Sequence, residues 1–429
     1  QQRGMGKLGL AFKDQWAQAV DSFKTWLSAS SVVMLAVSKT KEAVTELKEI
    51  DTILTEISKT NDKLSKSDLK NIGNNAFETA SKYGKKATDY LSGVQAASRA
   101  GYENAENIAE LSTAAQGAGD MTAELANSYI IATDKAYGME GSVQKLTQTL
   151  DGANEITNHN AVNMTELAEG MKVVGSQAAS SQISVEETTA ALGTLIAVTQ
   201  QGGSQMGNAF KGILMNLRQV TGEVDGEEID QESLTKYEKA CEALGVSLSE
   251  VKDGAVSLKE PMQILKELSA EYTKLDKDDA KRANLLSAIG GKYRANALNA
   301  ILENWSTYEN MLQQYADGDG SMAEEAEKTA NSLEGSLNKL SNTWTDTVQN
   351  VLDSDTLNSG VKVLNTVLDL INKITDKLGL FGTAGVTIGT ILGVKNVGKA
   401  NYISNFHCFE YADSIYNSIG YDSLEYAKS

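Results

Sequence analysis

Asn163-Met-Thr-Glu-Leu-Ala-Glu-Gly-Met-Lys-Val-Val-Gly-Ser-Gln-Ala-Ala179 is the stretch on which the fold turns. Asn163 offers a side-chain acceptor and Glu166 follows three residues on, the spacing of a capping box that opens a helix. Leu167, Met171 and Val174 then fall at i, i+4 and i+7, one face of an α-helix. Ser184-Val-Glu-Glu187 repeats the box, and Thr189, Leu192, Ile196 and Thr199 repeat the face. The spacing predicts two short helices ending at Gly175 and at Gly202-Gly203, because glycine enters the left-handed cap at no steric cost.

Composition extends that reading to the whole chain. Among 429 residues there is one proline, Pro261, where average usage of about 5% would give roughly twenty. Proline breaks helix interiors, so its scarcity fits a chain helical almost throughout. Aromatic residues at 6% are thin for strands, and an all-β fold is excluded. The predicted class is all-α: a bundle core of small residues with long heptad helices, or a helical hairpin, at both ends. Lys+Arg number 39 against 57 Asp+Glu, a net charge of −18. Such a chain repels phosphate backbones and anionic headgroups, which argues against specific nucleic-acid binding.

Outward from the core the pattern divides. Residues 1–32 are mixed, with no initiator methionine at Gln1 and no basic–apolar–cleavage order of a signal peptide. Over 33–70, Ala43, Ile50, Ile57 and Leu64 recur every seven, with Leu47 and Leu54 in the complementary seam. That stripe predicts an exposed helical arm or coiled coil, the other reading being that it packs on its own domain. Residues 71–220 form the Ala- and Gly-rich core. A second helical set spans 221–328; it opens with an acidic loop at 221–232 whose spacing does not match a calcium loop. Within it Pro261 suits a first helical turn, and Leu285 to Leu298 reads as helix, glycine pair, helix.

Heptads return over 329–378. Leu333, Leu337, Leu340, Trp344 and Val351 form one ridge, and Val361, Leu364, Leu368, Ile371 and Leu378 a second. These ridges and the first stripe are the predicted surfaces for self-association or partners. The Gly-rich apolar segment 379–400 carries Gly385, Gly389 and Gly393, whose GxxxG steps permit close contact in lipid. Leu378 to Val394 is uncharged and just long enough to span a bilayer, so it reads either as a membrane contact or as a Gly-rich buried helix or flexible hinge. The tail 401–429 is rich in Tyr and Phe.

Chemistry finds little to work with. Gly4-Met-Gly6-Lys-Leu-Gly9 has dinucleotide-loop spacing but no room for the preceding strand. No phosphate-loop or zinc-protease motif is present. His159 lies in a polar run and reads as a cap or surface residue, while His407 and Cys408 are neighbours that point apart. Cys241 and Cys408 alone make neither a disulfide framework nor a four-cysteine zinc site. No catalytic, cofactor-binding or metal-ligating set emerges, and no cofactor is expected.

The order of blocks, however, is recognisable. Thr165–Ala179, Ser184–Gly193, Gly203-Ser-Gln-Met-Gly-Asn-Ala-Phe210, Ile289-Gly-Gly-Lys-Tyr-Arg-Ala-Asn-Ala-Leu298 and the Thr329–Val351 helix together resemble the core region of phage tail tape measure proteins. The resemblance covers about residues 33–395. It implies a structural protein that fills the tail tube, sets its length and nucleates tube polymerisation. It also implies a place at the tail tip and departure ahead of the DNA at infection. The implied partners are further copies of itself, tail tube subunits, tail assembly chaperones, tail tip or baseplate proteins and the host membrane. The implied location is the virion, with the host cytoplasm during assembly. The chain departs from the family in being short, without the very long coiled coil, and in its aromatic tail. Two other classes remain open on sequence: a membrane-active helical pore using 378–394, and a tail-associated peptidoglycan hydrolase.

Overall fold

A computed structural model describes residues 29–61, 63–218, 235–252 and 255–352. The first helices are α1 (Ala29–Thr60), α2 (Lys66–Lys82), α3 (Ala87–Arg99), α4 (Ala105–Gly119) and α5 (Ala123–Tyr137). Next come α6 (Val143–His159), α7 (Met164–Ser180), α8 (Val185–Thr199), α9 (Gly203–Leu217) and α10 (Lys236–Glu242). After a hairpin follow α11 (Pro261–Tyr272), α12 (Ala280–Leu285), a π turn (Leu286–Gly290) and α13 (Gly291–Glu303). The last are α14 (Trp305–Ala316), α15 (Ser321–Ala330) and α16 (Leu333–Leu352). The all-α expectation holds. What it missed is the hairpin, β1 (Ser249–Lys252) antiparallel to β2 (Ala255–Leu258), with Val251 opposite Val256. Four-residue strands of mixed polarity give no period-2 signal to read.

The capping boxes form as spaced. Asn163 Oδ1 accepts from the Glu166 N–H at 2.8 Å while the Asn163 N–H donates to Glu166 Oε2 at 3.1 Å. Ser184 and Glu187 do the same at 3.2 and 3.0 Å. Pro261 takes the first turn of α11. The expected glycine stops fail. Helix α7 runs through Gly175 to Ser180, and α8 ends at Thr199 with Gln200 in the left-handed region at φ 54°. Gly203 serves packing instead. A Cβ on Gly203 would lie 1.8 Å from the Glu166 carbonyl oxygen, and one on Gly207 2.6 Å from that of Gly170. Helices α7 and α9 therefore meet backbone to backbone, and a side chain at either position would force them apart.

The described residues fall into two units, one of 29–51 with 340–352 and one within 52–339. In the larger unit a continuous core gathers Tyr129, Leu146, Leu167, Leu192, Phe210, Leu265 and Leu298. Buried polar groups inside it are paired where they bridge helices. Asp134, 1% exposed, accepts from the Tyr102 hydroxyl at 2.5 Å and from the Gly141 N–H at 2.7 Å. In the smaller unit Ala43, Ile50 and Val348 are buried, and the Thr345 hydroxyl donates to Glu46 Oε2 at 2.9 Å.

The first stripe is not a free arm. Ile50 is 3% and Ile57 0% exposed, each within its own unit, and Leu47 and Leu54 are half-buried. Leu54 Cδ1 stands 3.2 Å from where a Gly73 Cβ would be, and Arg99 reaches Glu56 at 3.4 Å. Leu64 falls outside the helix, half-buried in the link to α2. A seven-residue repeat says which face is apolar and is silent on what covers it.

Candidate functional site

The part of α16 in the larger unit begins on a fixed footing. The Gly335 N–H donates to Ser332 Oγ at 3.1 Å and the Ser336 N–H to the Ser332 carbonyl at 2.9 Å. Gly84, at φ 66°, turns the chain against this start: a Cβ there would lie 2.8 Å from the Cα atoms of both Ala330 and Gly335. Asn338 Nδ2 then donates to the Gly84 carbonyl at 2.9 Å. With Gly335 and Asn338 facing inward, Leu333 and Leu337 stand outward one turn apart, 56% and 54% exposed. Leu333 and Leu337 are thus two large apolar side chains left open on one helix face.

Further along α16, in the smaller unit, Leu340 and Trp344 are half-buried and Val348 is buried. Val351 lies in the last turn of that helix. The structure thus divides the predicted ridge residues: Leu333 and Leu337 are open, while Ile50 and Ile57 are covered. Leu364, Leu368, Ile371, Gly385, Gly389 and Gly393 lie outside the described residues, as do the acidic loop at 221–232 and the aromatic tail. Among the described residues no helix is long and apolar enough to cross a membrane, and no three His, Cys, Asp or Glu side chains are grouped to hold a metal ion.

At the start of α15 sits a clamp that sequence reasoning did not find. Asp151 of α6, 3% exposed, accepts from the Gly320 N–H at 3.1 Å through Oδ2 and from the Met322 N–H at 3.0 Å through Oδ1. These are the unpaired donors at the start of α15, so a carboxylate from another helix caps it. Burial pushes the Asp151 carboxyl above the usual aspartate range, the two N–H donors pull it down, and Asp319 adds to the rise. Ser321 Oγ donates to Glu155 Oε2 at 2.8 Å and accepts from Asn154 and Asn158. Nothing in the sequence links these groups across the chain.

The same cluster has the constituents of a nucleophilic triad in the wrong order. His159 Nε2 meets Glu155 Oε1 at 2.7 Å, and Ser321 meets the other oxygen of that carboxylate. With the acid between them, the imidazole does not reach the hydroxyl and cannot take its proton as a general base must. His159 sits at the C-terminal end of α6, on the surface, where a basic side chain suits the helix dipole.

Comparison with known proteins gives a family. The family model described as phage-related minor tail protein matches residues 73–291, from within α2 to the start of α13. No solved structure matches the chain.

Proposed function

The chain belongs to the phage-related minor tail protein family, and from that premise we propose that it is the core region of a tail tape measure protein. In this reading it scaffolds tube assembly, sets tail length and acts at the tip during DNA ejection. Its work is structural and not catalytic. Its partners are tube subunits, assembly chaperones, tip proteins and further copies of itself.

Three features support the reading. The block order from Thr165 to Val351 resembles that of tape measure cores. A helical chain converts residue number into distance at about 1.5 Å per residue. The net charge of −18 keeps such a chain from holding the DNA that must pass it. The observation that carries the partner role is the outward pair Leu333 and Leu337, on a helix start whose other side is locked to Gly84.

The test is a double charge substitution, Leu333→Asp with Leu337→Asp, in the phage or prophage that carries the gene. Negative-stain microscopy of lysates counts the tails. Loss of assembled tails with the purified protein still folded is the expected result. Normal tail number and form would contradict the assignment.

A further inference from the structure

The segment between α12 and α13 combines three unusual features. Leu286–Gly290 is a π turn, with one residue more per turn than the helices on either side. Gly291 follows at φ 61°, ψ −169°, a region open essentially to glycine alone. Gly290 leaves no room for a side chain, since a Cβ there would lie 2.8 Å from Ala295 N and Cα. By contrast, nothing stands within 4 Å of a Cβ on Gly291, so its constraint is conformational only.

We propose that Leu286–Gly291 is a two-state joint that opens an apolar face of the larger unit without melting the bundle. In the state seen here, Gly291 breaks the chain between α12 and α13. In the other, Gly291 takes helical angles, the π turn gives up its extra residue, and α12 continues α13 as one helix. Removing one residue from a turn rotates everything beyond it by about 100° around the helix axis. Helix α12 and the π turn, whose Leu285 and Ile289 are 0% exposed, pack against α10, which carries Cys241, also 0% exposed; in the proposed state the rotation takes them off α10 and uncovers Cys241.

Two latches hold the broken state. Asn216 Nδ2 on α9 donates to the Ile289 carbonyl at 2.6 Å, occupying an acceptor within the π turn. Arg282 of α12 pairs with Glu303 of α13, donates to the Leu275 carbonyl at 3.3 Å and lies 4.0 Å over the Tyr272 ring. Tyr272 is in turn fixed by its hydroxyl bond to Asn299 at 2.7 Å. Each latch spans the joint or ties it to a neighbouring helix, and neither lies in the central α3–α8 packing.

Cys241 reports the open state. The test uses the full chain with N-ethylmaleimide, and peptide mapping isolates labelling at Cys241 from that at Cys408. Gly291→Ala penalises only the present backbone angles, Asn216→Ala removes one latch, and Arg282→Lys loosens the other. Each is expected to speed Cys241 labelling at least tenfold while amide exchange in Val185–Thr199 stays within twofold of the parent. Labelling within twofold of the parent in all three variants would overturn the joint. So would a rise in Val185–Thr199 exchange that keeps pace with labelling, since it would mean global unfolding. If one variant fails to fold, the other two decide.

Discussion

Asp151 and Met322 stand 171 positions apart, yet the carboxylate of one accepts the backbone N–H of the other at 3.0 Å. The bond, with its companion from Gly320, starts α15 from the flank of α6.

Asp151→Ala leaves the buried Met322 N–H and the more exposed Gly320 N–H without this acceptor. Hydrogen bonds to a charged group are each worth about 1.5–3 kcal/mol, so a loss of about 2–4 kcal/mol is expected in urea unfolding. Asp151→Asn keeps one acceptor and should cost less.

The pH dependence follows from the raised Asp151 carboxyl. The folded state holds this proton more tightly than an unfolded aspartate, whose value is about 3.9. The group's contribution is therefore greatest below that value and is lost as pH rises through the higher folded value. Relative to Asp151→Asn, the parent should lose stability as pH climbs through the carboxylate range. A parent that instead gains on the variant over the same range would contradict the assignment.

Neighbouring glycines on the α7–α9 contact give a paired test. A Cβ on Gly203 would overlap the Glu166 carbonyl, whereas one on Gly202 meets nothing within 4 Å. Gly203→Ala must separate two helices at their closest point, and a destabilisation of about 3 kcal/mol or more is expected from overpacking against backbone. Gly202→Ala, at the N-cap of α9 with φ −58°, should stay within about 1 kcal/mol. Thermal melts of both variants compare them directly.

The two classes of ridge residue should separate in the same way. Ile57→Asp buries a charge at a site 0% exposed and should cost several kcal/mol or prevent folding. Leu337→Asp, at 54% exposure, should change stability by less than about 0.5 kcal/mol. Equal losses from both would mean that Leu337 is a core residue.

These contrasts mark what the sequence made legible. Helix starts were readable because Asn163–Glu166 and Ser184–Glu187 cap locally, within four residues. The glycine break at Gly290–Gly291 was readable for the same reason, although its π turn was not. Helix ends were misread at Gly175 and Gly202-Gly203; Gly203 serves close packing, a use that depends on a distant partner, Glu166, and Gly175 lies inside α7. The stripe at Ile50 and Ile57 was correctly apolar, but its cover comes from tertiary packing that a heptad count does not register. The Asp151 clamp had no local signal at all, since a capping acid on another helix leaves the N-terminus of α15 looking uncapped.

Tail length tests the central claim most directly. In-frame insertions and deletions of whole heptads within 329–378, made in the carrying phage or prophage, should change the measured tail in proportion. The expected slope is about 1.5 Å per residue. Tails of unchanged length across the series, assembled in normal number, would contradict the account.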